Sequence, residues 1–308
     1  MRSRTAYSRL LPALAAGALV FAACGSDDDN SSESTDAPAD TTDGTEAPMT
    51  SDGDMMVDES CSATIDDDVL TIATGEPAFY PYVLDDDPES GEGFESAVAY
   101  AVAHQMGYLP ESVVWVRTGF DEAIQPGAKS FDMNLQQFSI NPERAETIDF
   151  SLPYYTSNQA IVALEGSAAE GATTVADLKE VKFGAQVGTT SLDFITDVIQ
   201  PDQEPFVYDD NVGAKAALEA NQIDAAVFDL PTALYVSGVE IDGSLVTGQF
   251  PGDAGGTTDN FGFILEKDSP LTGCVDAAIT ALTDSGELEA ITTEWMSDFT
   301  GAPLIAVD

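Results

Sequence analysis

Hydrophobic positions in this chain come in short runs, and the period within those runs changes along the sequence. Residues 69–73, reading VLTIA, are rich in strand-forming residues, which predicts a strand. Residues 74–82, reading TGEPAFYPY, form a turn-rich loop with aromatics. From Gly93 onward the period lengthens: Phe94, Val98, Ala101, Val102 and Met106 recur at helical spacing. Residues 113–116 predict a short buried strand and 120–124 a short helix, cut by Pro126-Gly127. Residues 131–135 predict a strand that enters a turn. Asn141-Pro142 then signals a helix start, because Asn caps well and Pro is pre-set for the first helical position.

After Tyr155 the alternation restarts. Strands are predicted at 160–164, 182–187, 204–207 and 223–228, and helices at 175–178, 192–199, 212–220 and 231–236. Residues 261–265 are the last clear strand, followed by amphipathic helices at 274–282 and 288–295. Strand and helix in alternation predict an α/β fold with mostly parallel sheets. The restart suggests two lobes, and 308 residues leave room for two compact domains.

The beginning of the chain reads differently. Arg2, Arg4 and Arg9 precede an apolar run over 10–20, too short for a membrane span. Phe21-Ala22-Ala23-Cys24 resembles a bacterial lipobox, in which Cys24 receives lipid. The alternative is an ordinary signal peptide cut near Ala23. Residues 25–60 are rich in Asp, Glu, Ser, Thr, Gly and Pro and carry no basic residue, which predicts a self-repelling, disordered tether. Their acidic runs lack the ordered ligand spacing of a calcium loop.

Charge and cysteines narrow the function. Lys+Arg 10 against Asp+Glu 55 excludes nucleic acid as a partner, since phosphate binding needs a basic face. With Cys24 assigned to the anchor, Cys61 and Cys274 remain; an even pair in an exported protein suggests a disulfide, the alternative being two buried thiols. His104 is the one histidine and reads as an exposed structural residue, so no metal site is expected.

Past the leader the chain has two arginines, Arg117 and Arg144. A guanidinium fork matches a carboxylate through two parallel hydrogen bonds. Arg144 is either such a clamp or a surface residue paired with Glu143 or Glu146. Its neighbours carry more information: Ser-Ile-x-Pro-Glu-Arg from Ser139 to Arg144, then Ile-Asp-Phe-Ser-x-Pro-Tyr-Tyr ending at Tyr155. This stretch resembles the signature of the extracellular solute-binding proteins, family 3, that serve polar amino-acid ABC transporters.

The resemblance spans roughly residues 69–303 and implies a two-lobed, type II periplasmic-binding-protein-like fold. Residues 61–157 and 261–308 would form lobe 1 and 158–260 lobe 2, with hinge crossings near 156–159 and 259–261. Cys61 and Cys274 would then share lobe 1 and could meet. By motif position Arg144 would clamp a ligand α-carboxylate, with Ser139 adding contacts. Thr189 and Thr190, in the Gly-Thr-Thr segment, would add donors from a helix start, although a plain N-cap is the other reading. Asp229, ending an apolar strand, would take the ligand ammonium, or cap the next helix, or both. Phe79 and Phe120 would sandwich the ligand side chain, or be core. Gln136 and Gln137 stand where the family often has small residues. Glu76 lies in the loop where the family can place an acid for basic side chains.

The function so implied is a lipid-anchored receptor on the outer face of the cell membrane, the periplasmic side in a Gram-negative cell. It would capture a polar amino acid and deliver it to an ABC permease. It would need no cofactor, bind no nucleic acid and act as a monomer. The alternatives are an enzyme on the same scaffold, of the cyclohexadienyl dehydratase type, and a ligand sensor without transport.

Overall fold

The computed structural model describes residues 61–255, 258–299 and 301–307. The leader, Cys24 and the acidic tether lie outside them. The first part of the chain supplies β1 (Leu70–Thr74), α1 (Phe94–Gln105), β2 (Val113–Arg117), α2 (Phe120–Ile124), β3 (Met133–Asn134) and β4 (Ile148–Phe150). The middle supplies β5 (Tyr155–Ser157), β6 (Gln159–Leu164), β7 (Phe183–Gln186), α3 (Thr190–Phe194), β8 (Phe206–Tyr208), α4 (Asn211–Glu219), β9 (Ala225–Asp229), α5 (Leu230–Tyr235) and β10 (Ser244–Gln249). The last part adds β11 (Asp259–Phe261), β12 (Ile264–Glu266), α6 (Thr272–Ser285) and α7 (Glu287–Met296).

Two five-stranded sheets result, ordered β2-β1-β3-β12-β4 and β10-β6-β9-β7-β8. Both are mixed. In the first, β1 runs parallel to β2 and β3, while β12 runs antiparallel to β3 and β4. In the second, β7 runs parallel to β8 and β9, while β6 runs antiparallel to β9 and β10. The antiparallel pairings arise where the chain changes sheet: β5 leads into β6, and β11 leads into β12. Those two entry strands pair with each other, Phe261 opposite Tyr155 and Asp259 opposite Ser157, as a two-stranded ribbon joining the lobes.

Each sheet is buried on both faces, which explains why its central strands read as continuous apolar runs. In β6 and β9, Ala160, Val162, Ala226 and Phe228 pack to one side and Ile161, Ala163, Ala225 and Val227 to the other. In the first lobe Phe94, Val98 and Val102 of α1 meet Val275, Ile279 and Leu282 of α6. Cys61 and Cys274 form a disulfide with their Cα atoms 5.7 Å apart. His104 is exposed.

Local chemistry alters some expected elements. The helix signalled by Asn141-Pro142 is a single 3-10 turn, Arg144–Glu146, in which Asn141 Oδ1 accepts the Arg144 N–H at 2.8 Å. The helix expected at 192–199 is the five-residue α3 followed by a π-turn, Ile195–Ile199.

The chain end differs from the expected lobe assignment, which put everything from 261 to 308 in lobe 1. After α7 the tail crosses to the second sheet. The Gln249 N–H donates to the Pro303 carbonyl at 2.7 Å, Ile305 N–H to the Gln249 carbonyl at 2.8 Å, and Ala306 N–H to the Thr173 carbonyl at 2.9 Å. Ile305 is fully buried in the second lobe's core. Gly248 makes room: a Cβ there would lie 2.6 Å from the Ile305 side chain. Burying that isoleucine supplies the driving force.

Candidate functional site

A cleft of about 60 Å³ lies between the lobes, beside the ribbon that joins them. Arg144, Ser139, Gln136, Gln137, Phe79 and Phe120 line it from the first lobe, and Asp229, Thr189 and Thr190 from the second. Sequence reasoning also offered Glu76, and the structure does not bring it in. Glu76 is exposed, on the solvent side of its loop. No hydrogen bond or ion pair to its carboxylate occurs among the described residues, and a charge without partners is cheapest in water.

Arg144 is buried at 8% exposure, against the surface reading. Its Nη1 donates to the Ser139 carbonyl at 2.9 Å, and its Nη2 crosses the cleft to the Gly188 carbonyl at 2.7 Å. Its guanidinium carbon sits 5.4 Å from the Phe120 ring centroid, a cation–π distance. Burial works against the charge, and Asp193, Asp259, Glu143 and Asp121 support it. Gly188 reaches Arg144 by a left-handed turn (φ +70°) that packs against the Asp121 carboxylate, where a Cβ would lie 2.6 Å from Oδ1.

Thr189 caps α3: its Oγ1 accepts the Leu192 N–H at 3.2 Å and donates to the Gln186 carbonyl at 2.7 Å. The N-cap reading of that residue therefore holds. Thr190 Oγ1 lies 3.2 Å from Ser139 Oγ, a second contact across the cleft. Asp229 also caps a helix, accepting the Thr232 N–H at 2.9 Å on the Oδ1 that takes the Tyr82 hydroxyl of the opposite lobe at 2.5 Å. Burial pushes its carboxyl upward, and the bonds from Tyr82 and Thr232 pull it back.

The aromatic pair divides. Phe120 stacks on Phe138, centroids 4.9 Å apart, so it serves the core as well as the cleft. Phe79 stands at the mouth, with Lys215 Nζ 4.4 Å from its ring centroid. Gln136 Oε1 is buried without a hydrogen-bond partner among the described residues. Gln137 is in the left-handed region (φ 53°) and turns its amide away from the cleft, its Nε2 donating to Glu95 Oε2 at 2.5 Å.

Several residues at or beside the site escaped the sequence reading, Gln186, Ser191 and Asn211 of the cleft wall among them. Tyr82 lay in a loop read only as turn-rich. Glu95 falls on the apolar stripe of α1 with Val98 and Val102, and an acid on such a stripe is itself a signal. Gln159 and Asp259 sit in the strands at the lobe crossings; Gln159 Nε2 donates to Asp259 Oδ2 at 2.7 Å. Burial raises the Asp259 carboxyl, offset by bonds from Ser139 and Gln159.

Comparisons with known proteins bear on the family and the fold. Residues 70–298 match the family model of bacterial extracellular solute-binding proteins, family 3. A probable histidine-binding protein of Campylobacter jejuni is 33% identical over 167 residues, covering 53% of this chain and 62% of that protein. The solved structure of an ancestral arginine-binding protein bound to arginine is 27% identical with a TM-score of 0.61, covering 74% of this chain and 98% of that one. The ancestral amino acid-binding protein AncCDT-1, a precursor of cyclohexadienyl dehydratase, is 25% identical with a TM-score of 0.60, covering 75% and 95%. A match over most of the described residues, on two mixed sheets joined by a ribbon beside a polar cleft, places the chain among the bacterial extracellular solute-binding proteins of family 3.

Proposed function

We propose that this protein is a lipid-anchored receptor that closes its lobes on a polar amino acid and hands it to an ABC importer. The observation that carries the reading is charge placement. Arg144 and Asp229, opposite in sign and on opposite lobes, line one cleft. A zwitterion could pair its carboxylate with the guanidinium and its ammonium with the carboxylate. Each pairing offsets a desolvation that would otherwise cost several kcal/mol, to order of magnitude. Ser139 and Thr190 add hydroxyls around the carboxylate end, Thr189 holds the helix start beside them, and Phe79 and Phe120 flank the side chain.

In this reading residues 61–157 and 261–299 move as one lobe and 158–260 as the other, with 301–307 riding on the second. Ligand binding selects the closed arrangement because only there do both charges find partners. Cys24 carries the lipid, the acidic tether holds the lobes off the outer face of the membrane, and the permease meets the closed monomer.

A thermal-shift screen of the proteinogenic amino acids tests the reading, since a ligand that binds only the folded state raises Tm. At least one polar amino acid should raise it, and a flat screen would remove the amino-acid assignment. Likeness to a dehydratase precursor gives a second reading, an enzyme on this scaffold. Recovery of the bound ligand unchanged after incubation separates receptor from enzyme.

A further inference from the structure

Beneath the cleft lies a carboxyl that the ligand reading does not use. Glu95, in the first turn of α1, is 1% exposed. Its Oε1 accepts the Gln137 N–H at 2.8 Å and the Tyr154 hydroxyl, and its Oε2 accepts the Gln137 Nε2 at 2.5 Å. Gln137, at φ 53°, is also a residue of the cleft wall. The ionisable groups that act on Glu95 are Tyr154 and Asp229, and Tyr82 is coupled to both carboxyls. The Arg144 guanidinium is turned to Ser139 and Gly188 instead. Among the described residues no cation is hydrogen-bonded to Glu95.

Two opposed effects meet on this group. Burial favours the neutral acid. Three donors aimed at its oxygens favour the carboxylate. The balance puts Glu95 at about 7, against about 4.5 ordinarily, with burial the larger influence. A group so poised responds to a nearby charge. A ligand ammonium brought to Asp229 is such a charge.

We propose that Glu95 is a positioning residue for the cleft that couples ligand capture to proton release. Empty, the cleft holds Glu95 partly as the acid, its O–H able to donate to the Tyr154 oxygen. When an ammonium docks at Asp229, Glu95 becomes the carboxylate, its proton passes to the buffer, and all three donors tighten on it. Gln137, a residue of the cleft wall, is then held more firmly in place. A nearby opposite charge lowers a carboxyl by about one unit or more. Near neutral pH ligand binding then releases a fraction of a proton, and affinity rises with pH through the neutral range.

The inference rests on the amino-acid reading of the cleft, so the test has two arms. The first uses no ligand. A carboxyl whose folded value is raised binds its proton more tightly in the folded state, so its contribution to stability falls as pH rises from about 4.5 to about 7. Tm of the ligand-free protein is measured from pH 4.5 to 8 for wild type, Glu95→Gln and Tyr154→Phe. Relative to Glu95→Gln, wild type should lose Tm across that window. Tyr154→Phe keeps the ring and removes one donor, which moves the end of the decline to higher pH. Wild-type and Glu95→Gln profiles that run parallel overturn the proposal.

The second arm titrates L-histidine, L-arginine and L-glutamine into wild type and Glu95→Gln by calorimetry at pH 7, in phosphate and in Tris. Wild-type enthalpies should differ between buffers by a fraction of a proton's ionisation heat, and those of Glu95→Gln should not. Binding with buffer-independent enthalpy in wild type overturns the coupling and leaves the receptor reading intact. If no probe here and no amino acid in the thermal-shift screen binds, the receptor reading falls and the coupling falls with it. The ligand-free profiles would still report whether Glu95 titrates.

Discussion

Arg144 shows how far a single residue can be read from sequence and where structure adds to it. Its scarcity in an acidic chain and its place in a spaced motif marked it for a carboxylate. That its guanidinium would reach the Gly188 carbonyl depends on a left-handed glycine in the other lobe, which no local pattern reveals. The added bond changes the expected variant behaviour. Arg144→Ala should weaken binding of the best amino acid at least a hundredfold, because breaking a buried pair costs about 3–5 kcal/mol and each ~1.4 kcal/mol is tenfold in affinity. It should also lower the ligand-free Tm, since hydrogen bonds made by a charged group are worth about 1.5–3 kcal/mol each. Arg144→Lys should keep part of the stability and lose most of the affinity, as a point charge cannot span two acceptors in a plane. Asp229→Asn should cost comparable affinity through the ammonium. Titration calorimetry and thermal melts of the same samples separate the two effects. Arg117, the other arginine past the leader, is not a neutral position. It donates to the Gly75 carbonyl at 2.6 Å and pairs with Asp86 at 2.7 Å, tying down the loop that presents Phe79.

Among elements, legibility followed periodicity. The strands β6, β7 and β9 announce themselves as apolar runs because both faces of their sheet are covered. Helix α1 announces itself through Phe94, Val98 and Val102. Short elements were harder: β3 is two residues long, and its place is set by pairing with β1 and β12 rather than by composition. The tail was least legible, since 301–307, reading GAPLIAV, is apolar almost throughout and neither period can show. Its position comes from Ile305 finding a pocket opened by Gly248. Ile305→Ala should cost about 2–5 kcal/mol, as for other large-to-small changes in cores. Hydrogen exchange should speed up at Ile305, Ala306 and Val175, whose amides are bonded in the strap. Amides of β1 should be unaffected. Uniform loss of protection in both sheets would mean that the tail stabilises the molecule as a whole and not the second lobe.

At the scale of the whole molecule, two long-range terms act in opposite directions. The disulfide joins residues 213 apart in sequence and so restricts the unfolded chain. The loop-entropy argument gives about 5 kcal/mol for a ring of that size. Against it stands a net charge of −45. Three ion pairs, Arg117–Asp86, Lys215–Glu240 and Lys267–Asp149, are formed among the described residues, so most of the acidic side chains described there are in no ion pair. Compaction brings those charges together, and the folded state bears more of the repulsion than the unfolded one. Salt should therefore stabilise this protein. The screening length falls from about 10 Å at 0.1 M to about 3 Å at 1 M, which removes repulsion between neighbouring carboxylates while costing little in attraction. Tm should climb between 0.05 and 1 M NaCl, climb nearly as much in KCl, and climb in parallel for a Cys61→Ser/Cys274→Ser variant whose whole curve lies lower. A fall of Tm with salt would show that the few ion pairs outweigh the many unpaired acids. Sodium chloride is the discriminating salt because chloride is excluded from protein surfaces far less than sulfate is. A rise in NaCl then reports screening of charge, where the same rise in sulfate would also include strengthened apolar burial.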